Sequence, residues 1–218
     1  MVNRFHEQVY IPFGRITLKG ELYIPSNANA IVIFSHGSGS SRLSKRNREV
    51  AEGLNEKKLG TLLFDLLTEE EDRDYSNRFD IDLLTQRLID TTHWLEQHPA
   101  GRACQIGYFG ASTGAASAIK AAARLPEIRA VVSRGGRPDL AVSDLHSINA
   151  PTLLIVGSLD YDVLEWNKEA MKKLNCIKKL ELVEGATHLF EEPGKMKLVS
   201  KLAADWFEKY LIPGSINE

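Results

Sequence analysis

The stretch Cys104-Gln-Ile-Gly-Tyr-Phe-Gly-Ala-Ser-Thr-Gly-Ala-Ala-Ser-Ala-Ile-Lys-Ala-Ala-Ala123 reads as three pieces in a row. Cys104 to Phe109 is an apolar run of strand length, Gly110-Ala111-Ser112-Thr113-Gly114 is a G-x-S-x-G turn, and an alanine-rich helical segment runs from Thr113 to about Leu125. An apolar run without polar alternation marks a strand buried on both faces of a parallel sheet. A strand that turns this sharply into a helix forces the serine at the tip into strained backbone geometry. The flanking glycines let neighbouring chains come close, and the hydroxyl projects into the space beyond the strand end.

Outward from this unit the same alternation repeats. Apolar runs recur at Ala30 to Ser35, Thr61 to Asp65, Ala130 to Ser133, Thr152 to Val156 and Leu180 to Val183. Between them lie helix-period segments at about Ser44 to Lys58, Ile81 to Gln97, Val163 to Leu174 and Lys195 to Tyr210. Ahead of them, Gln8 to Ile24 alternates around a turn at Pro12-Phe-Gly-Arg15 and reads as an antiparallel hairpin. Strand and helix alternating with right-handed crossovers predict an α/β fold: a mostly parallel, doubly wound sheet of about eight strands, counting the hairpin. We expect one domain over residues 1–218, with no repeat and no linker. Between Ser133 and Pro151 there is space for a short connection and none for a large lid.

Composition narrows the function classes. Lys and Arg number 27 and Asp and Glu 29, a net charge of −2, so no global field draws in nucleic acid or anionic lipid. Cys104 and Cys176 are too few for a disulfide framework and have no metal-ligand spacing. No segment approaches the ~20 apolar residues of a membrane span and no signal core is visible, which leads to the expectation of a cytoplasmic protein without membrane contact. The one charge run, Glu69-Glu-Glu-Asp-Arg-Asp74, reads as a solvated loop beside a strand end.

In an open α/β sheet the ligand crevice lies outside the C-terminal ends of the strands, so the residues there are the candidates for chemistry. Ser112 needs a base, and the base needs a carboxylate to orient it. Asp160 follows the strand Leu153 to Val156, and His188 follows the strand ending at Val183, which supplies Ser, Asp and His in the chain order this chemistry uses. Asp160 has a competing reading as a helix N-cap, and Asp162 competes for the orienting role. An oxyanion needs aimed donors; the expected ones are the backbone N–H groups of Thr113 and of Ser38, the latter in the loop Ser35-His-Gly-Ser-Gly-Ser-Ser-Arg42. That loop lacks the Lys and the spacing of a phosphate-binding P-loop. His36 shares the crevice edge, and Arg42, Arg134 and Arg137 are candidates to bind an anionic group of the substrate, against a structural reading as partners of Asp65 or Asp139.

With these motifs together the chain resembles an α/β-hydrolase of the dienelactone hydrolase-like group. The likeness rests on the elbow, the His-Gly loop, Gly157-x-x-Asp160-x-x-Val163 and Gly185-x-x-His188-x-Phe190, and it covers nearly the whole chain. Tyr108-Phe-Gly-Ala-Ser-Thr-Gly114, Ser133-Arg-Gly-Gly-Arg-Pro-Asp139 and Ala186-Thr-His-Leu-Phe-Glu-Glu-Pro-Gly194 are similar to a bacterial subgroup of small hydrolases. Some members of that subgroup are fused to a phosphoribosyltransferase domain, whose Thr-Gly-x-Thr phosphate loop this sequence lacks. Dienelactone hydrolase itself has a cysteine nucleophile where this chain has Ser112. The resemblance implies Ser112 as nucleophile, Asp160 as acid, His188 as base, and oxyanion donors at Thr113 and Ser38; the expected reaction is cleavage of a small carboxylic ester, thioester or lactone through an acyl-serine intermediate, with no cofactor or metal. A non-catalytic binding protein of the same fold and an acyltransferase are the rival readings.

Overall fold

The computed structural model describes residues 5–212. The chain opens on a hairpin, β1 (Phe5–Phe13) and β2 (Ile16–Ile24), paired in register from Phe5 with Ile24 to Phe13 with Ile16. The turn therefore falls on Gly14 and Arg15, with Gly14 at φ 57°. After it come β3 (Ala30–Ser35), α1 (Lys45–Glu56), β4 (Gly60–Phe64), α2 (Ile81–Gln97), β5 (Gln105–Ala111) and α3 (Thr113–Arg124). The second half holds β6 (Ile128–Arg134), β7 (Thr152–Gly157), α4 (Tyr161–Lys173), β8 (Lys178–Val183) and α5 (Lys195–Leu211).

The eight strands form one sheet in the order β1-β2-β4-β3-β5-β6-β7-β8. The hairpin joins it antiparallel through β2 and β4, and the other pairings are parallel. Strands β3, β4 and β7 are buried along their whole length, as their unbroken apolar sequences require. The outer strand β8 instead begins with the exposed pair Lys178 and Lys179, charges that discourage a further strand from adding there.

Each face of the sheet has its own apolar layer. Leu84, Leu88 and Leu95 of α2 and Ile119 of α3 pack on Ile33, Tyr108 and Leu154 on one side. Val50 and Leu54 of α1 and Val199, Trp206 and Phe207 of α5 pack on Phe34, Phe109 and Ile155 on the other. The expected α/β architecture, hairpin included, is the one found, and between β6 and β7 there are two short 3-10 turns, Pro138–Ala141 and Leu145–Ser147, with no lid. No helix among the described residues is long and apolar enough to cross a membrane.

Candidate active site

The order change between β3 and β5, which neighbour each other while their connections leave on opposite faces, opens the crevice at their C-terminal ends. The elbow between β5 and α3 fills it. Ser112 has φ 51° and ψ −122°, a region that a residue with a Cβ rarely enters. What holds it there is close packing on either side. A Cβ on Gly110 would lie 2.4 Å from Ala115 Cα, and one on Gly114 would lie 2.2 Å from the Ser35 carbonyl oxygen. The Ser112 N–H donates to the Arg134 carbonyl at 3.2 Å, and the Ser112 carbonyl accepts from the N–H groups of Ala115 and Arg137.

Asp160 and His188 meet at the same edge. The His188 Nδ1 lies 2.6 Å from Asp160 Oδ2. A carboxylate only accepts, so Nδ1 carries the proton and Nε2 is left as the acceptor, the tautomer a general base requires. Asp160 occupies the N-cap position of α4, yet its side chain makes no capping bond there. The capping alternative is thus set aside; the carboxylate is used on the histidine, and the exposed Asp162 takes no part.

The loops that present these two residues are stitched together. Leu159 N–H donates to Ala186 O at 3.0 Å, Gly185 N–H to Ser158 Oγ at 2.8 Å, and Gly157 leaves room for the Ala186 carbonyl, which a Cβ would meet at 2.3 Å. Thr187 donates from both its N–H and its hydroxyl to Glu192 Oε1, bracing the histidine from the far side. Gly135, at the end of β6 beside the elbow, faces the imidazole: a Cβ there would sit 3.5 Å from His188 Nδ1. No hydrogen bond joins the Ser112 hydroxyl to His188 among the described residues, a contact that commonly tightens only with substrate in place.

The remaining expected residues fare differently. The Ser38 N–H, the expected second oxyanion donor, is directed at Thr113 Oγ1 at 2.9 Å and so is already engaged. His36 is corrected from a substrate contact to a structural clamp. It is buried, its Nδ1–H donates to the Gly37 carbonyl at 3.0 Å, and its Nε2 accepts the Leu66 N–H at 3.1 Å, leaving no ring nitrogen for a ligand. Arg42 is also consumed, bound to Asp65 through its guanidinium and its own N–H, and Arg137 makes a two-point pair with Asp139 while stacking over Trp166 at 4.1 Å. For both, the ion-pair reading holds.

Arg134 is different. It is buried against the first turn of α1, with Nη2 3.5 Å from Asn47 Oδ1 and no partner for Nε among the described residues. Burial, with Arg46 nearby, brings its guanidinium down to about 10.

Burial also lowers the His36 imidazole below its ordinary 6.5. Between the folded value and 6.5 the unfolded chain binds more protons, so acidification through that window favours unfolding, by up to about 1.4 kcal/mol per pH unit, and the loss levels off below the folded value. Urea midpoints should therefore fall from pH 7 to pH 5, and His36→Gln should flatten that segment of the curve. Parallel curves for the two proteins would remove the clamp from the explanation.

Beside the site, a cavity of about 620 Å³ lies under the hairpin turn, lined by Leu18, Lys19, Arg42, Asp65, Leu67 and Glu70 among others. The acidic run borders it but is folded rather than loose. Glu71 pairs with Arg87 at 2.6 Å and Asp72 with Arg78 at 2.8 Å.

The crevice, the strained serine and the Asp–His pair define an α/β-hydrolase. The chain belongs to the dienelactone hydrolase family, which it matches over residues 18–211. A crystal structure of dienelactone hydrolase from Anabaena variabilis superposes with a TM-score of 0.93 at 50% identity, covering 96% of this chain and 99% of that one. Est1E from Butyrivibrio proteoclasticus, at 17% identity, shares the fold with a TM-score of 0.80 over 93% of this chain and 98% of its own. A Mycobacterium tuberculosis protein named "putative phosphoribosyl transferase" is 54% identical over 206 residues, 94% of this chain and 46% of that protein. The chain thus spans about half the length of the curated relatives it matches.

Proposed function

We propose that this hydrolase cleaves a small carboxylic ester, thioester or lactone through an acyl-serine intermediate. The observation that carries the reading is the 2.6 Å bond from His188 to Asp160 at the C-terminal sheet edge that also holds the strained Ser112. Ser112 attacks the acyl carbon while His188 Nε2 takes its proton. The leaving group departs with that proton, and water then repeats the sequence to free the acid. Asp160 keeps the imidazole in the required tautomer throughout.

The short β6–β7 connection leaves the crevice without a cover for a long lipid chain, in keeping with a small acyl group. If that group is anionic, Arg134 is the one of Arg42, Arg134 and Arg137 whose charge no carboxylate meets among the described residues.

Treating the folded protein with a fluorophosphonate and mapping the adduct by mass spectrometry tests the proposal. Labelling is expected on Ser112 and absent from Ser112→Ala. A folded wild-type protein that takes no label would instead favour a binding role for the same crevice.

A further inference from the structure

The geometry points to the Thr113 side-chain hydroxyl as a donor to the reaction's oxyanion, with the Ser38 amide acting behind it. The inference rests on the hydrolase reading above and concerns which atoms hold the charge that develops when Ser112 attacks.

Thr113 is the first residue of α3, so its N–H precedes the first intrahelical bond and is free for the crevice. Its side chain is buried, and its Oγ1 accepts the Ser38 N–H at 2.9 Å. A hydroxyl carries one hydrogen besides its acceptor sites. That hydrogen has no acceptor among the described residues. A buried O–H left without an acceptor is costly, unless a substrate oxygen supplies the missing partner.

The N–H and the O–H of Thr113 lie on one residue, immediately after the nucleophile, and so can converge on one oxygen. Donation from Ser38 into Oγ1 polarises the hydroxyl and makes its hydrogen a better donor. As the Ser112 Oγ–carbon bond forms, the carbonyl π electrons pass to oxygen. The two Thr113 hydrogens stabilise that charge, and the Ser112 proton moves to His188 Nε2.

The loop that holds Ser38 is itself fixed. Gly114 lies against the Ser35 and His36 carbonyls, and His36 is clamped between Gly37 and Leu66, so the Ser38 amide has little freedom to leave Oγ1 and bind the oxyanion directly.

Three variants test this: Thr113→Ser keeps the hydroxyl, Thr113→Val keeps the branched shape without it, and Thr113→Ala removes the side chain. The readouts are kcat/KM for p-nitrophenyl acetate and the fluorophosphonate labelling rate, both normalised to folded protein. Thr113→Ser is expected within about threefold of wild type, and Thr113→Val and Thr113→Ala about 10²-fold slower in both. A threonine that only braced the loop would lower melting temperature without this loss per folded molecule.

Thr113→Val at or above the wild-type rate overturns the inference, because a freed Ser38 amide would then be the true donor. Should Thr113→Val not fold, Thr113→Ala takes its place, and the same rates support or overturn the inference. Loss of rate in Thr113→Ser also overturns it. A wild-type protein that neither labels nor hydrolyses the ester rejects the hydrolase reading itself, which no change confined to the variants would do.

Discussion

Replacing Ser112 by alanine is expected to lower kcat/KM for a short ester by about 10⁵-fold or more, because nucleophile, base and orienting acid act as one unit and losing the nucleophile leaves only binding and electrostatic stabilisation. Asp160 and His188 should stay paired in this variant, since their 2.6 Å contact and the loops around it do not depend on the serine hydroxyl. Activity should fall without loss of fold. The same position also stores strain. Alanine retains a Cβ at φ 51° and ψ −122°, whereas glycine enters that region freely. Ser112→Gly should therefore be as inactive as Ser112→Ala yet more stable than it, by about 1–3 kcal/mol less the extra entropy of an unfolded glycine. Urea unfolding of the two variants side by side reads the difference. Equal or reversed midpoints would mean that the elbow's strain is no larger than the extra entropy of an unfolded glycine.

How much of this site is legible in the sequence depends on what kind of contact each residue makes. Ser112, Asp160 and His188 are placed by strand ends, and strand ends are visible as the points where buried apolar runs stop. Their common edge follows from topology. The core helices are legible for the same reason: leucine spacing marks Ile81 to Gln97, and the structure adds Asp80, whose side chain caps this helix at Leu83 N–H.

Side-chain pairing is legible only as one of two readings, substrate contact or ion pair. Arg42 and Asp65 are 23 residues apart, and only the close approach of the β3 and β4 loops decides that they bind each other and not a ligand. His36 sits at the crevice edge in sequence, but its ring turns inward to Leu66, and nothing in a His-Gly dipeptide tells the inward rotamer from the outward one. That the Ser38 N–H turns to Thr113 Oγ1 is likewise a contact between segments 75 residues apart. Thr113 offers one signal: a hydroxyl directly after the nucleophile, at a helix position where it has no preceding turn to bond.

Gly114→Ala is expected to have the largest effect on stability of any conservative change at the site. In an exposed helix this substitution gains about 0.5–1 kcal/mol, since alanine is the better helix former. Here the added Cβ would lie 2.2 Å from the Ser35 carbonyl oxygen and 2.5 Å from that of His36, both backbone atoms with no rotamer to change. Relief would require β3 and α3 to separate. β3 is held by parallel pairing to β4 and β5, Ser35 opposite Gly110, and by a 2.7 Å bond between the Ser35 and Ser117 hydroxyls, the latter also donating to the Gly114 carbonyl. The clash cannot be absorbed locally, so the cost should exceed about 4 kcal/mol, a large share of an ordinary domain's stability. For a chain of this size that lowers the melting temperature by about 10 °C or more, or leaves the protein insoluble. Gly14→Ala is the matching control. It has a positive φ of 57° but open space around the new Cβ, and should cost only about 1 kcal/mol of backbone strain. If Gly114→Ala melts no lower than Gly14→Ala, the elbow and the β3 loop have room to part, and the tight closure that fixes Ser112, His36 and the Ser38 amide relative to one another would have to be abandoned.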